Sequence, residues 1–225
     1  ALPISMKSKV QLLFFVVFIL AMTSHSVSAS EFDPAAFIDK ASVHYRNEFT
    51  VARTLVSWNR MLDFPVVMGA LWNLYDFDPK YYITYSGAGY HIIDPTGIEG
   101  DLREIHAERE HTRMFIANGK LKNWGIPVSL VGKALFIVES VADGDSVAVT
   151  LDVYGEGGDS VVMRMLLKAV SPILEHLIHK RVSRNLADFA ILVEDLNGSP
   201  QSLRNQLPRE YHSIFNHIIE YTSAD

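Results

Sequence analysis

Nine histidines and 26 acidic residues have the widest chemical reach in this chain, so their spacing is the first question. His106 and His111 flank Glu108 and Glu110. A separation of five puts the two imidazoles on opposite faces of a strand and well apart on a helix. That disfavours a shared metal ion and reads as a solvated charged segment. His176 and His179 stand at i, i+3 beside Glu175. This spacing can hold a metal on a helix, yet it brings no third ligand with it, and a polar helix face accounts for the pair. Gly97-Ile98-Glu99-Gly100 lacks the Lys-Ser/Thr pair and the strand–helix context of a phosphate loop. No G-x-S-x-G elbow is present, and no Ser-His-Asp set follows from spacing. Asp94, Asp101, Glu104 and Glu108 are acid–base groups in principle, but nothing selects a pair among them. The residues therefore predict no catalytic set, no metal site and no cofactor.

The aromatic residues say more. Five of the nine tyrosines fall between Tyr75 and Tyr90, with Trp72 just before them. Aromatic rings with a polar tip suit a cavity that grips an apolar molecule and orients one polar end. Ordinary strand and core composition accounts for the same residues.

Composition narrows the classes. The chain has 225 residues, 48% of them apolar and 20% charged, enough for one domain with a sizeable core and too apolar for general disorder. Zero cysteines exclude a disulfide framework, a thiolate metal site and a cysteine nucleophile. A formal charge of −6 argues against a nucleic-acid partner, which needs a clustered basic surface. Near the start, Lys7 and Lys9 follow Met6 and precede an apolar run from Leu12 to Met22. A small-polar stretch then ends in Val27-Ser28-Ala29. That order predicts a secretory signal peptide cleaved after Ala29. The run is shorter than the roughly 20 residues a membrane-spanning helix needs. Residues 1–29 hold two lysines and no acid, so the mature protein is more acidic still. An acidic, cysteine-free exported chain points to a periplasmic or secreted protein.

The elements that must position these side chains follow from periodicity. Asp33-Pro34 is a helix start, and Phe37, Ala41, Tyr45, Phe49, Ala52, Val56 and Arg60 lie near helical spacing as far as Pro65. Residues 30–79 are thus predicted to be a helical region, with a second short helix over 66–76. From 80 to 93 the composition is that of strands cut by Gly87 and Gly89. The segment 102–111 is ambiguous between strand and helix. Asn118-Gly119 predicts a two-residue hairpin pairing Ile116 with Leu121, Met114 with Asn123 and Arg113 with Trp124. Asp143-Gly144 predicts a second, pairing Leu151 with Phe136, Val149 with Val138 and Val153 with Ala134, so that these residues share one apolar wall. A long amphipathic helical pattern covers 159–197. Ser171-Pro172 inside it either kinks one helix or starts another. Residues 199–225 are read as a linker as far as Pro208, followed by a short amphipathic helix.

The stretches GKALFIVESVADGDSVAVTLDVYG and MRMLLKAVSPILEHLIHKRVSRNLADFAILVEDL carry a family pattern. They resemble the last two strands and the final helix of the START-like (SRPBCC) superfamily. The resemblance implies an α+β helix-grip fold over 80–198, a curved antiparallel sheet wrapped around a long C-terminal helix, with extra N-terminal helices here. The family opens with a strand before its short helices, whereas the region before Pro65 reads as more helical than extended. By resemblance the protein binds or transfers a hydrophobic small molecule or lipid in an internal cavity, with transient membrane contact. The alternatives are a cyclase or hydratase on the same scaffold and an envelope interaction module without a cavity. The expected wall is Ala134, Phe136, Val138, Val149 and Leu151 from the sheet and Met165, Leu166, Ile173, Leu177 and Val182 from the helix. Trp72, Tyr85 and Tyr90 are expected near the mouth.

Overall fold

The computed structural model describes residues 32–87, 89–95, 97–108, 111–121, 130–157 and 161–219. The signal-peptide expectation falls outside them. Helix α1 (Pro34–Lys40) begins as predicted: Asp33 caps it by accepting from the Ala35 and Ala36 amides, with proline in the first turn.

The next element overturns the helical reading of this region. Val43–Val51 is a strand, β1, not helix. A spacing of four residues returns to the same face of a strand as well as of a helix, so Tyr45 and Phe49 satisfied both patterns. The alternation of Val43, Tyr45, Phe49 and Val51 on one face, with β-branched and aromatic side chains, decides for the strand. Two short helices follow, α2 (Leu55–Asp63) and α3 (Pro65–Leu74), and Pro65 starts the second without breaking the chain path.

The strands β2 (Tyr82–Ser86), β3 (Gly89–Asp94), β4 (Ile98–Glu108), β5 (Thr112–Leu121), β6 (Leu130–Asp143) and β7 (Ser146–Gly157) complete the sheet. The order is β1-β7-β6-β5-β4-β3-β2, seven strands and antiparallel throughout. β1 pairs with β7 along its whole length, so this strand joins the same sheet as the later ones. Segment 102–111, ambiguous in the sequence, is mostly strand, with a register shift between Glu104 and His106.

The predicted Asn118-Gly119 hairpin does not exist. Both residues lie inside β5, opposite Asp101 and Gly100 on one side and Lys133 and Gly132 on the other. Neither has a positive φ, which the two-residue turn would demand of such a pair. Arg113 accordingly faces Ala107 and Val138, and Trp124 lies outside the described residues. The second hairpin is present but slipped: Asp143 pairs with Ser146, so the loop is Gly144-Asp145, with Gly144 at φ +60°. A glycine at the first central position is what this loop requires. The true partners are Phe136 with Val153, Val138 with Leu151 and Ala134 with Gly155. A slip of two residues keeps every side chain on its face, so the shared wall survives.

After the sheet, α4 (Val161–Gly198) runs 38 residues through Pro172 as one helix and packs on β1 and β7. Residues 199–208 are not a plain linker. Pro200–Gln206 forms α5, begun by its proline and held by the buried Leu203 and Leu207. A 3-10 turn (Arg209–Tyr211) leads to α6 (His212–Ile219), which seats Phe215 and Ile218 against α2. The principal core lies between the inner face of the sheet and α2, α3, α4 and α6. A smaller one lies on the outer face, where Phe37 of α1 meets Ile116 and Leu135. No helix among the described residues is long and apolar enough to cross a membrane.

Candidate functional site

The inner face of the sheet is built in cross-strand rows, and their composition changes along the strands. One row is Gly100, Gly119, Gly132 and Gly157, four buried glycines on four neighbouring strands. A Cβ on Gly100 would come 2.4 Å from the Asn118 carbonyl oxygen and 2.8 Å from Gly119 Cα. Backbone thus occupies the space of a side chain, which is how glycine permits a sheet to coil sharply. The next row on the same face is Leu102, Ala117, Ala134, Gly155 and Val43, and the one after it Glu104, Phe115, Phe136, Val153 and Tyr45. A floor of glycine and alanine therefore lies beside a step of two phenylalanines.

The sheet candidates fall together on this face. Ala134, Phe136, Val138 and Val149 are buried, and Leu151 is partly buried against the same core. Phe115, Ala117 and Leu102 belong to the wall as well. They were hidden from the sequence because the supposed turn at Asn118 removed β5 from its true register. The helix candidates divide. Val182 is fully buried. Met165 is 69% exposed, so it faces solvent and not the wall. The side chains of Leu166, Ile173 and Leu177 lie outside the described ones.

The three aromatic candidates also separate. Trp72 is buried, donates to the Pro79 carbonyl at 2.9 Å and packs on Phe77 and Tyr81, which makes it a core residue and not part of a mouth. Tyr85 is 61% exposed, and its ring meets that of Tyr90, its cross-strand partner, at 5.5 Å. Tyr90 is half-buried and its hydroxyl donates to the Asp63 carbonyl at 3.2 Å.

Tyr90 belongs to a polar cluster at the end of the wall. Arg113, 3% exposed, grips both oxygens of Glu104 through Nε and Nη2 at 2.6 and 2.8 Å. Its Nη1 reaches Asp63 Oδ1 at 3.0 Å and the Asn59 carbonyl at 3.2 Å. The guanidinium also lies over the Phe115 ring, 5.4 Å from its centre. Arg113 thereby ties the last turn of α2 to the sheet. Two carboxylates around one cation leave the cluster net negative. Burial, then the nearby Tyr85, Glu104 and Asp63, push the Tyr90 hydroxyl above the usual tyrosine range, with Arg113 opposing. Tyr90 thus stays a neutral donor.

Further buried polar atoms have no hydrogen-bond partner. The Tyr45 hydroxyl, on the phenylalanine row, is buried with no hydrogen bond, and burial pushes it up to about 12. Asn185 of α4, 1% exposed, donates to the Tyr81 hydroxyl at 2.9 Å, while its Oδ1 accepts nothing. One turn on, Asp188 Oδ2 is buried and unpartnered. Burial raises the pKa of this carboxyl, with Arg184 opposing and Asp78 adding to the rise. Asn185 interrupts the apolar stripe Val182, Phe189, Leu192 and Leu196 at a stripe position, a signal legible in the sequence and not used there. A separate half-open cleft of about 340 Å³ lies where α3, α4 and α5 meet, lined by Leu74, Tyr75, Asp195, Ser199, Ser202, Leu203 and Gln206. In it Tyr75 donates to Asp195, and burial first, then Asp195, pushes the tyrosine pKa up.

His106, His111, His176 and His179 are all exposed, and no group of three His, Cys, Asp or Glu side chains among the described residues is placed to hold a metal.

A seven-stranded antiparallel curved sheet, two short helices after its first strand and a long C-terminal helix make a helix-grip architecture. No family model and no curated protein matches the chain. Solved structures do. Norcoclaurine synthase from Thalictrum flavum, in complex with dopamine and hydroxybenzaldehyde, is 16% identical over 77% of this chain and 96% of its own, with a TM-score of 0.44. Ara h 8.0201 is 13% identical over 81% of this chain and 98% of its own, at 0.38. A protein from Arthrobacter aurescens is 10% identical over 68% and 87%, at 0.47.

Proposed function

We propose that the chain is an exported helix-grip protein, periplasmic or secreted after cleavage near Ala29, that holds a hydrophobic small molecule such as a lipid against the inner face of its sheet. The observation that carries this reading is the inner face itself: rows of glycine and alanine beside Phe115 and Phe136, with few polar groups around them. An apolar surface with a small number of placed donors and acceptors is the usual make-up of a small-molecule site. Tyr45 and Asn185 would meet a polar end of the ligand. Lysine-led residues 7–22 and the Val27-Ser28-Ala29 ending support export.

The test is native mass spectrometry and solvent extraction of protein purified from its own envelope. The expected result is a co-bound hydrophobic molecule and an N-terminus at Ser30. Phe136→Trp, which adds volume to the wall, lowers occupancy. If no molecule is recovered and Phe136→Trp only strains the fold by ~1–3 kcal/mol, the binding reading fails and an interaction module replaces it. An intact N-terminus in the membrane fraction refutes cleavage.

A second reading, an acid–base enzyme of the cyclase or hydratase kind, is favoured by Asp188, a carboxyl with one buried, unpartnered oxygen and a raised pKa. That reading expects the recovered molecule to change mass with wild type and not with Asp188→Asn. An unchanged mass with both removes it.

A further inference from the structure

Arg53 is 3% exposed, at the junction between β1 and α2. Its Nη1 donates to Asn197 Oδ1 at the end of α4, and the Asn197 amide donates to the Ala52 carbonyl at 3.0 Å. Its Nε and Nη2 have no acceptor, and no carboxylate among the described residues pairs with it. Burial alone pulls the guanidinium below the usual arginine range, with no neighbouring charge opposing. Arginine nevertheless stays protonated in proteins, so a positive charge is buried here without compensation.

Arg113 in the same protein shows what the free edge does when filled. Its Nε and Nη2 take the two oxygens of Glu104 at 2.6 and 2.8 Å. The same edge of Arg53 is buried and has no acceptor. That fork matches two oxygens of a carboxylate or phosphate. Four residues on, in the first turn of α2, Ser57 is fully buried and its hydroxyl has no partner. Thr54 Oγ1 already accepts from the Ser57 amide at 3.3 Å, so the cap is complete without that hydroxyl. The positive end of α2 adds to the field there. Ala52 and Asn197, which the Arg53 junction joins by hydrogen bonds, are exposed, as is Val56 beside Ser57.

We propose that Arg53 and Ser57 form an oxyanion-binding site for a carboxylate or phosphate group at the junction of β1, α2 and the end of α4. The group comes either as a free anion or as the head of a lipid.

The test uses the full chain and three probes titrated separately by calorimetry: palmitate, inorganic phosphate and hexadecanol. Palmitate or phosphate binds the wild type, and Arg53→Met weakens that binding about tenfold or more, as expected for a charged hydrogen-bonded partner. Arg53→Lys, which keeps the charge and loses the fork, falls between them, and Ser57→Ala weakens binding several-fold. Binding of palmitate without phosphate assigns a lipid headgroup, and binding of phosphate assigns a free anion. If neither anion binds, or if an anion binds Arg53→Met as tightly as wild type, the site is refuted. Should Arg53→Met fail to fold, Arg53→Lys and Ser57→Ala carry the comparison, and unchanged affinity in both refutes it equally. Hexadecanol has no anionic head and reports on the apolar-ligand reading separately: it binds if that reading holds, whatever Arg53 does.

Discussion

Replacing Arg113 by methionine tests how the inner wall is held to α2. The change keeps the stem and removes the guanidinium, leaving Glu104 and Asp63 as two carboxylates without their cation and the Asn59 carbonyl without its donor. Removing one partner of a buried ion pair costs about 3–5 kcal/mol. Here the Glu104 and Asp63 side chains are 32% and 18% exposed, so water rehydrates part of the orphaned charge. The lower end, about 3 kcal/mol, is therefore expected. In a domain of this size that is roughly a 6–12 °C fall in melting temperature. Denaturant unfolding of wild type, Arg113→Met, Glu104→Gln and the double variant measures it. Because Glu104→Gln removes one of the stranded charges, the double variant loses less than the sum of the singles by more than about 1 kcal/mol. A loss below about 1 kcal/mol for Arg113→Met, or additivity within ~0.5 kcal/mol, refutes the view of Arg113 as the tie between α2 and the sheet.

Gly100→Ala, whose new Cβ meets backbone at 2.4 Å and not a movable side chain, destabilises by ~1–3 kcal/mol in denaturant melts. A neutral result would put Asn118 and Gly119 back in a turn. Ser140→Ala strips the acceptor from the buried Trp58 indole N–H at 2.8 Å and costs about 1–3 kcal/mol, read in the same assay. The Tyr45 hydroxyl is pushed from 10.0 to about 12 by burial, so the folded state holds its proton longer than the unfolded chain does. The stability this contributes is complete below pH 10 and is lost as pH rises towards 12. Wild type therefore loses more stability than Tyr45→Phe across that window, and parallel pH profiles for the two proteins contradict the burial of the hydroxyl.

Local chemistry was enough for much of the fold, and the reason is that it is local. Asp33-Pro34 carries its own cap and first turn, Pro65 starts α3, and the alternation from Val147 to Val153 defines one face of β7 whatever lies beside it. That face placed Ala134, Phe136 and Val138 with the valines even though the hairpin register was off by two, because a slip of two preserves the side of the sheet. Ambiguity arose where one spacing serves two structures. Tyr45 and Phe49, four apart, suit helix and strand alike, and it takes the flanking Val43 and Val51 on the same face and the pairing with Val153 and Val149 to settle them as β1. Asn118-Gly119 has the composition of a turn, yet hydrogen bonding on both sides holds it extended between β4 and β6. The glycine row across four strands, the grip of Arg113 on Glu104 and the empty fork of Arg53 beside Asn197 join residues from separate elements. No spacing along the chain encodes such contacts. They exist only once the sheet has coiled and the end of α4 has come to rest against the junction of β1 and α2.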